Sequence, residues 1–584
     1  METNTQRNTI NLDTQHYPSS SQLNNAHQNL ASLEALDRKD NRKTRSVNWF
    51  MVRTILTSGA GFFTDSYDVF IINLVMPMIG FVYYPNNNNK IPSDIEGIVK
   101  GMASVGTLLG QLFFGFMGDI FGRKIYGFEL LIIIIGTINC ATAASAIKGV
   151  SMLGFLGFWR FILGIGIGGD YPMSATITSE WSSAGRRGMM MALIFSMQGI
   201  GMLAAAIVTI ILLAIFKSGI ETDTRELDYV WRLCIGLGAV PAFATVYLRF
   251  TMPESPRYSL DVKHDVEQAA IAMTVRGEHR RHQQEQLAQK SKSRNHWKEF
   301  RDYFKQWKHL KVLLGTSLSW FLLDIAFYGL GLNNSYVLNA IGFSKKDTPF
   351  EVMWWNAIGQ LIITLLGSVP GYYLSVIFIE RWGRRPIQIM GFAVCTALFI
   401  ILSAAYHPLR DNSIPAFVAI FTLAQLFQNF GANTTTFIIP GEVFPTKVRA
   451  SAHGISAASG KAGAILAAFA FNELVETNDS YPGEHAFLPQ TLGIFAGIMF
   501  LGLIVTILWI PESKGKDLEV FEEGYVSPTG SVVTDEFEPP PVTAVTDEKN
   551  GRSKEYPSNP DNGNGKDSNH SSTNASSSSK PYIY

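Results

Sequence analysis

Along this chain apolar residues gather into runs of about 20 positions, the length that spans a bilayer as a helix, and short polar stretches separate them. The runs fall near 54–84, 98–117, 125–147, 152–176, 189–216 and 230–250, then near 311–333, 352–379, 386–406, 414–439, 450–473 and 487–510. This pattern predicts an all-α polytopic membrane protein with twelve transmembrane helices as two six-helix halves, over 50–252 and 311–510. Between the halves lies a polar segment, 253–310, and at the ends lie tails, 1–49 and 511–584. Both tails are rich in Ser and Asn and lack apolar periodicity, so they are expected to be disordered, and the first is no cleavable signal.

Composition sharpens the class. With 47% hydrophobic and 16% charged residues the chain departs from soluble domains, in which charged residues are about a quarter. The net charge is zero, but its distribution is informative. Arg42, Lys43 and Arg45, then Arg123 and Lys124, Arg186 and Arg187, Arg381, Arg384 and Arg385, and Lys447 and Arg449 fall in alternate loops. Those basic loops, with the central one, are expected to be cytoplasmic, as are both termini. The basic central segment, with Arg276, Arg280, Arg281 and Lys290, reads as a topology signal beside anionic lipid and not as a nucleic-acid patch. Cys140, Cys234 and Cys395 all lie in apolar runs without metal or disulfide spacing. No nucleophile, metal or nucleotide motif stands in a suitable context, so neither enzyme chemistry nor a cofactor is expected. The sequon Asn478-Asp479-Ser480 falls in an expected external loop and is a glycosylation candidate.

Ionisable residues inside the runs carry the candidate chemistry, because a charge at membrane depth is costly and marks function by default. The fourth run holds Arg160 and Asp170 among Gly164, Gly166, Gly168 and Gly169, with Pro172 placed to let the helix bend. Asp65 and Asp68 stand three apart on one helical face of the first run, close enough to share protons. Glu129 adds a titratable group in the third run. Trp320, Asp324 and Tyr328 form an i, i+4, i+8 stripe, and Gln198 and Asn433 supply amides. Lys461 stands alone in AASGKAGAILAAFAF. A buried ammonium needs an anion, either a protein carboxylate or an anionic substrate, and a neutral sugar would not require it.

The halves also echo each other. GFMGDIFGRK after the second run is answered by ERWGRRP after the eighth, and PESPR after the sixth by PESKG after the twelfth, as in an internal duplication with a site between the halves. The segments GIGIGGDYPMSATITSE, FLLDIAFYG, TTTFIIPGEVFPT and SAHGISAASGKAGA resemble those of the phosphate:proton symporters of fungi and plants, a branch of the major facilitator superfamily. The likeness runs over residues 50–515 and implies the twelve-helix major facilitator fold. It implies a phosphate site of Tyr171, Gln198, Trp320, Asp324, Tyr328, Asn433 and Lys461, and proton movement through Asp65, Asp68, Glu129, Arg160 and Asp170. Ala432 departs from the family, which commonly has Pro there, so a kink beside Asn433 is expected to be missing. The reading is a plasma-membrane importer of inorganic phosphate with protons. Its alternatives are a glycerophosphodiester or other organic-anion porter of the same fold, and a nutrient receptor that signals phosphate availability. Expected partners are phosphate, protons and the lipid bilayer, with no nucleic acid, and trafficking or ubiquitination machinery acting on the tails.

Overall fold

The computed structural model describes residues 49–122, 125–144, 150–182, 185–251, 296–476 and 487–516. Residues 1–48 and 517–584 of the tails, Arg123 and Lys124, the PESPR segment, most of the central segment and the sequon lie outside them. The described helices are α1 (Val52–Tyr83), α2 (Ser93–Phe121), α3 (Phe128–Ala141), α4 (Met152–Trp181), α5 (Arg187–Ile215) and α6 (Thr224–Phe250) in the first half. In the second half they are α7 (Trp307–Gly331), α8 (Pro349–Trp382), α9 (Arg384–Ala404), α10 (Ile414–Val443), α11 (Arg449–Glu476) and α12 (Leu488–Trp509).

Eleven of these are long and apolar enough to cross a membrane. The exception is α3, helical over 14 residues where the apolar run 125–147 predicts a full span. Its helix spans about 21 Å at 1.5 Å per residue. Gly127, at φ 129°, delays its start, and its carboxylate-bearing first turn is fastened there, with the Gly127 N–H donating to both oxygens of Glu129 at 2.9 Å. A short amphipathic helix, His296–Phe304, occupies the end of the expected central loop. Its His296 and Trp297 rings pack on Phe116 of α2, and His296 Nε2 lies 3.2 Å from Ser451 Oγ of α11.

Packing follows the small residues. Gly164 and Gly168 face the α2 backbone, while Gly166 faces α3, where a Cβ would sit 2.7 Å from the Glu129 carbonyl oxygen. Alternate glycines thus let one helix touch two neighbours at backbone distance. Apolar side chains left on the outside, among them Leu109, Phe113, Ile211, Ile215, Leu366, Ile400, Leu501 and Leu508, form the lipid-facing surface.

Two helices are interrupted by π turns. In α8 the turn Thr364–Ser368 precedes Pro370, which cannot donate to the helix ladder. In α10 the turn Asn429–Asn433 contains the non-helical residues Phe430 and Gly431. The kink beside Asn433 therefore exists without the family's proline, contrary to the expectation from Ala432. Close approach is its cause: a Cβ on Gly431 would lie 2.5 Å from the Cα of Gly391 on α9, so both positions need glycine for the helices to meet there.

Candidate functional site

The stripe on α7 and the lysine on α11 meet. Lys461 Nζ donates to Asp324 Oδ2 and to the Tyr328 hydroxyl, each at 2.8 Å. The ammonium also lies over two rings, 4.1 Å from the centre of Tyr328 and 5.3 Å from that of Tyr171. The anion that Lys461 requires is thus Asp324, and both side chains are buried. Gly460 makes room for Trp320, whose indole would meet any Cβ there. Trp320 in turn stands edge-on to His453 at 5.6 Å and tilts over Tyr171 at 6.4 Å.

A second chain of polar groups joins the halves beside this pair. Gln198 Nε2 of α5 donates to the Tyr171 hydroxyl at 2.5 Å, and Tyr372 of α8 donates from its hydroxyl to Gln198 Oε1 at 3.0 Å. Asn433 Nδ2 donates to the Tyr372 oxygen at 2.8 Å and to Asn429 Oδ1 at 2.8 Å. All seven expected ligands therefore converge on one place between the halves, and Tyr372 links them. Sequence reasoning missed Tyr372; its signal was a phenol in an apolar run directly after Pro370 and Gly371. Below Tyr171, Phe62, Phe195 and Phe437 form an aromatic floor, with Phe195 stacked on Phe437 at 4.5 Å.

The five expected proton residues divide into two places, both inside the first half. Asp170 turns away from the central site, although its neighbour Tyr171 lines it. Its Oδ2 accepts from Arg249 Nη2 at 2.6 Å and its Oδ1 from Ser174 Oγ at 2.6 Å. Arg249 Nη1 donates to Glu129 Oε1 at 3.0 Å, and the guanidinium lies 4.4 Å from the Tyr126 ring centre. Arg249, Asp170 and Glu129 are all at most 1% exposed. Arg249 went unnoticed in the sequence because it stands at the end of an apolar run, where a snorkelling cation is the ordinary expectation.

Asp68 and Arg160 form the other place. Thr137 Oγ1 donates to Asp68 Oδ2 at 2.8 Å, while Arg160 donates to backbone carbonyls, from Nε to Val99 at 3.1 Å and from Nη1 to Asp68 at 3.4 Å. Asp65 shares no hydrogen bond with Asp68, and both its carboxylate oxygens are buried without a partner among the described residues. The shared face expected for the two aspartates thus does not make them a hydrogen-bonded pair.

Above and below the central site the halves touch. At one end Asn73 donates to Gln360 Oε1 at 3.2 Å and Lys100 donates to Asn333 Oδ1 at 2.7 Å. At the other, Asp119 of α2 caps the start of α11, accepting from the N–H groups of Ala450 at 3.1 Å and Ser451 at 2.7 Å. Arg449 adds a pair with Glu180 at 3.4 Å, and Glu380 accepts from the Met189 N–H at 3.0 Å. Neutral amides dominate the first closure, and carboxylates dominate the second.

Comparison with known proteins places this geometry. The sugar (and other) transporter family profile matches residues 54–525. The chain is 44% identical over 523 residues to the inorganic phosphate transporter PHO84 of Saccharomyces cerevisiae, covering 85% of this chain and 87% of that protein. It is 43% identical over 498 residues to a repressible high-affinity phosphate permease of Neurospora crassa, covering 81% and 86%. Among solved structures, the proton:xylose symporter XylE superposes with a TM-score of 0.64 at 18% identity, over 81% of this chain and 98% of that one. At that identity the likeness speaks for the fold alone. This chain is a multi-pass membrane protein of the sugar (and other) transporter family within the major facilitator superfamily, in the branch that includes the fungal phosphate transporters.

Proposed function

We propose that this protein imports inorganic phosphate together with protons across the plasma membrane by alternating access. The observation that carries the reading is the Lys461–Asp324–Tyr328 group, a buried cation whose protein partner can be exchanged for an oxyanion at the seam of the two halves. Phosphate would sit between Lys461, Tyr328, Trp320, Tyr171, Gln198 and Asn433. Asp324 in its protonated form would donate to a phosphate oxygen instead of repelling it. The relatives named as phosphate transporters support the same substrate.

Proton coupling would use Asp65, Asp68, Glu129, Arg160 and Asp170, which lie in the first half while the anion group lies mainly in the second. Monovalent phosphate moving with one proton carries no net charge; each further proton gains about 2.3 kcal/mol per 100 mV. Opening either end requires breaking the polar contacts between the halves at that end, as alternating access demands. The basic loops orient the Asp119–Ala450 closure, the tails 1–49 and 511–584 and the segment 253–310 to the cytoplasm. The test is uptake of labelled phosphate into liposomes holding the purified protein under an inward proton gradient. Accumulation that collapses with the gradient, and that sulfate and glucose leave intact, is expected. Stronger competition by glycerophosphodiesters than by phosphate would instead favour the organic-anion porter.

A further inference from the structure

The structure leaves an orphan donor on Arg249 and two orphan acceptors on Asp65, with one glycine of α1 packed on the Arg249 ion pair. Arg249 Nε is buried with no hydrogen-bond partner among the described residues, and so are Oδ1 and Oδ2 of Asp65. Gly61 of α1 stands against the same guanidinium: a Cβ there would overlap both Arg249 Nη2 and Asp170 Oδ2, so the α1 backbone rests directly on the ion pair. Asp65 follows Gly61 by four residues and therefore stands one turn further along the same face, about 5–6 Å away.

Charge counting gives this arrangement a role. Around Arg249 stand Asp65 from α1, Glu129 from α3 and Asp170 from α4, with the Tyr126 phenol beside them. One buried cation faces three carboxyl groups, so neutrality requires protons on two of them. Asp170 accepts two hydrogen bonds, from Arg249 and Ser174, and Glu129 accepts from Arg249 and the Gly127 N–H. Asp65 accepts none, and a carboxylate without donors is the costliest of the three to hold charged. Of the other charged groups near α1, Asp68 accepts from Thr137 at Oδ2 and Arg160 donates to the Val99 and Asp68 carbonyls, while Asp68 Oδ1 and Arg160 Nη2 are buried without a partner among the described residues. Arg160 is the cation beside Asp68, as Arg249 is the one beside Asp65 and Asp170.

We propose that Arg249 is the shared counter-charge of a proton site at Asp65: it is held by Asp170 while Asp65 and Glu129 carry protons, and once the Asp65 proton has left, its free Nε–H pairs with the Asp65 carboxylate, leaving the cluster one negative charge in excess until Asp65 is protonated again. The proton departs as the O–H bond of the Asp65 carboxylic acid breaks, passing to whichever aqueous side is open and leaving the carboxylate. Arg249 is thus a positioning residue for coupling, and the assignment rests on the proton-coupled reading above. Gly61, which carries no side chain, keeps the α1 backbone that bears Asp65 against the Arg249–Asp170 pair.

The test separates coupling from structure by comparing two fluxes in liposomes holding the full chain. Phosphate–phosphate exchange shuttles the loaded, protonated carrier and never needs Asp65 to release its proton, whereas net accumulation does. In Arg249→Gln, net proton-driven accumulation should fall tenfold or more at neutral internal pH while exchange falls less than threefold. Raising the internal pH should restore accumulation, because Asp65 then loses its proton without the cation. Gly61→Ala, which wedges α1 away from the pair, should show the same split. Should Arg249→Gln fail to fold, Arg249→Lys keeps the positive charge facing Asp170 and lacks the Nε–H, and its accumulation-to-exchange ratio decides. Equal loss of both fluxes, or an unchanged dependence on internal pH, overturns the role of Arg249. Wild-type phosphate flux indifferent to the proton gradient would overturn the coupled reading itself, and this proposal with it.

Discussion

The Arg249 cluster and the Lys461 pair are both buried ion pairs, yet they are built for different events. Arg249, Asp170 and Glu129 belong to α6, α4 and α3, all in the first half, so their partners can be exchanged without moving one half against the other. Lys461 and Asp324 belong to α11 and α7 in the second half, but the ammonium also faces Tyr171 of α4 in the first. Rocking of the halves therefore changes the surroundings of Lys461 and leaves those of Arg249 nearly intact. In the proposed function the charge that would meet phosphate sits on the seam, and the charges that would hold protons sit beside it. Tyr171 and Asp170, adjacent in sequence, point one to each region.

The comparison breaks most visibly at the seam. Lys461→Gln should weaken phosphate binding by about 3 kcal/mol, roughly 150-fold, since it removes one member of a buried charged hydrogen bond. Calorimetry on the purified protein reads this, and wild-type affinity in the variant would move the anion site elsewhere. Asp324→Asn keeps a donor and removes a charge, so binding should survive within roughly threefold while uptake loses its response to external pH.

In the first half the expected loss is of coupling. Asp65→Asn should leave phosphate binding near the wild-type value but reduce accumulation at 100 mV by up to about 50-fold, the worth of one proton charge at about 2.3 kcal/mol per 100 mV. Unchanged accumulation in that variant would place the proton on another group. Tyr372→Phe tests the link between regions and should cost about 1 kcal/mol, roughly fivefold in affinity, because Gln198 and Asn433 each lose one hydrogen bond. The smallest effect is expected from Thr137→Val, which removes the one hydroxyl donating to Asp68. About 0.7 kcal/mol, roughly threefold in the external proton concentration for half-maximal uptake, follows for a single hydrogen bond.

The sequence by itself determined the class of molecule, because bilayer thickness imposes run length and the cost of buried charge confines ionisable residues to places where they matter. From it the span pattern, the i, i+4, i+8 stripe of Trp320, Asp324 and Tyr328, and the need of Lys461 for an anion were all legible. Spacing within one helix is a local property, so it survives folding. What the tertiary structure decided were the pairings between helices: that the anion of Lys461 is Asp324, that Asp170 turns to Arg249 and not to the central site, and that Tyr372 joins Gln198 to Asn433. It also decided the kink at Gly431, which goes with the approach of Gly391 on another helix: the α10 sequence holds the glycine, but not which helix it meets, and Ala432 in place of the family's proline pointed the other way. These depend on residues tens to hundreds of positions apart meeting at a backbone distance that small side chains permit, and no periodicity along one chain encodes which helix will be the neighbour.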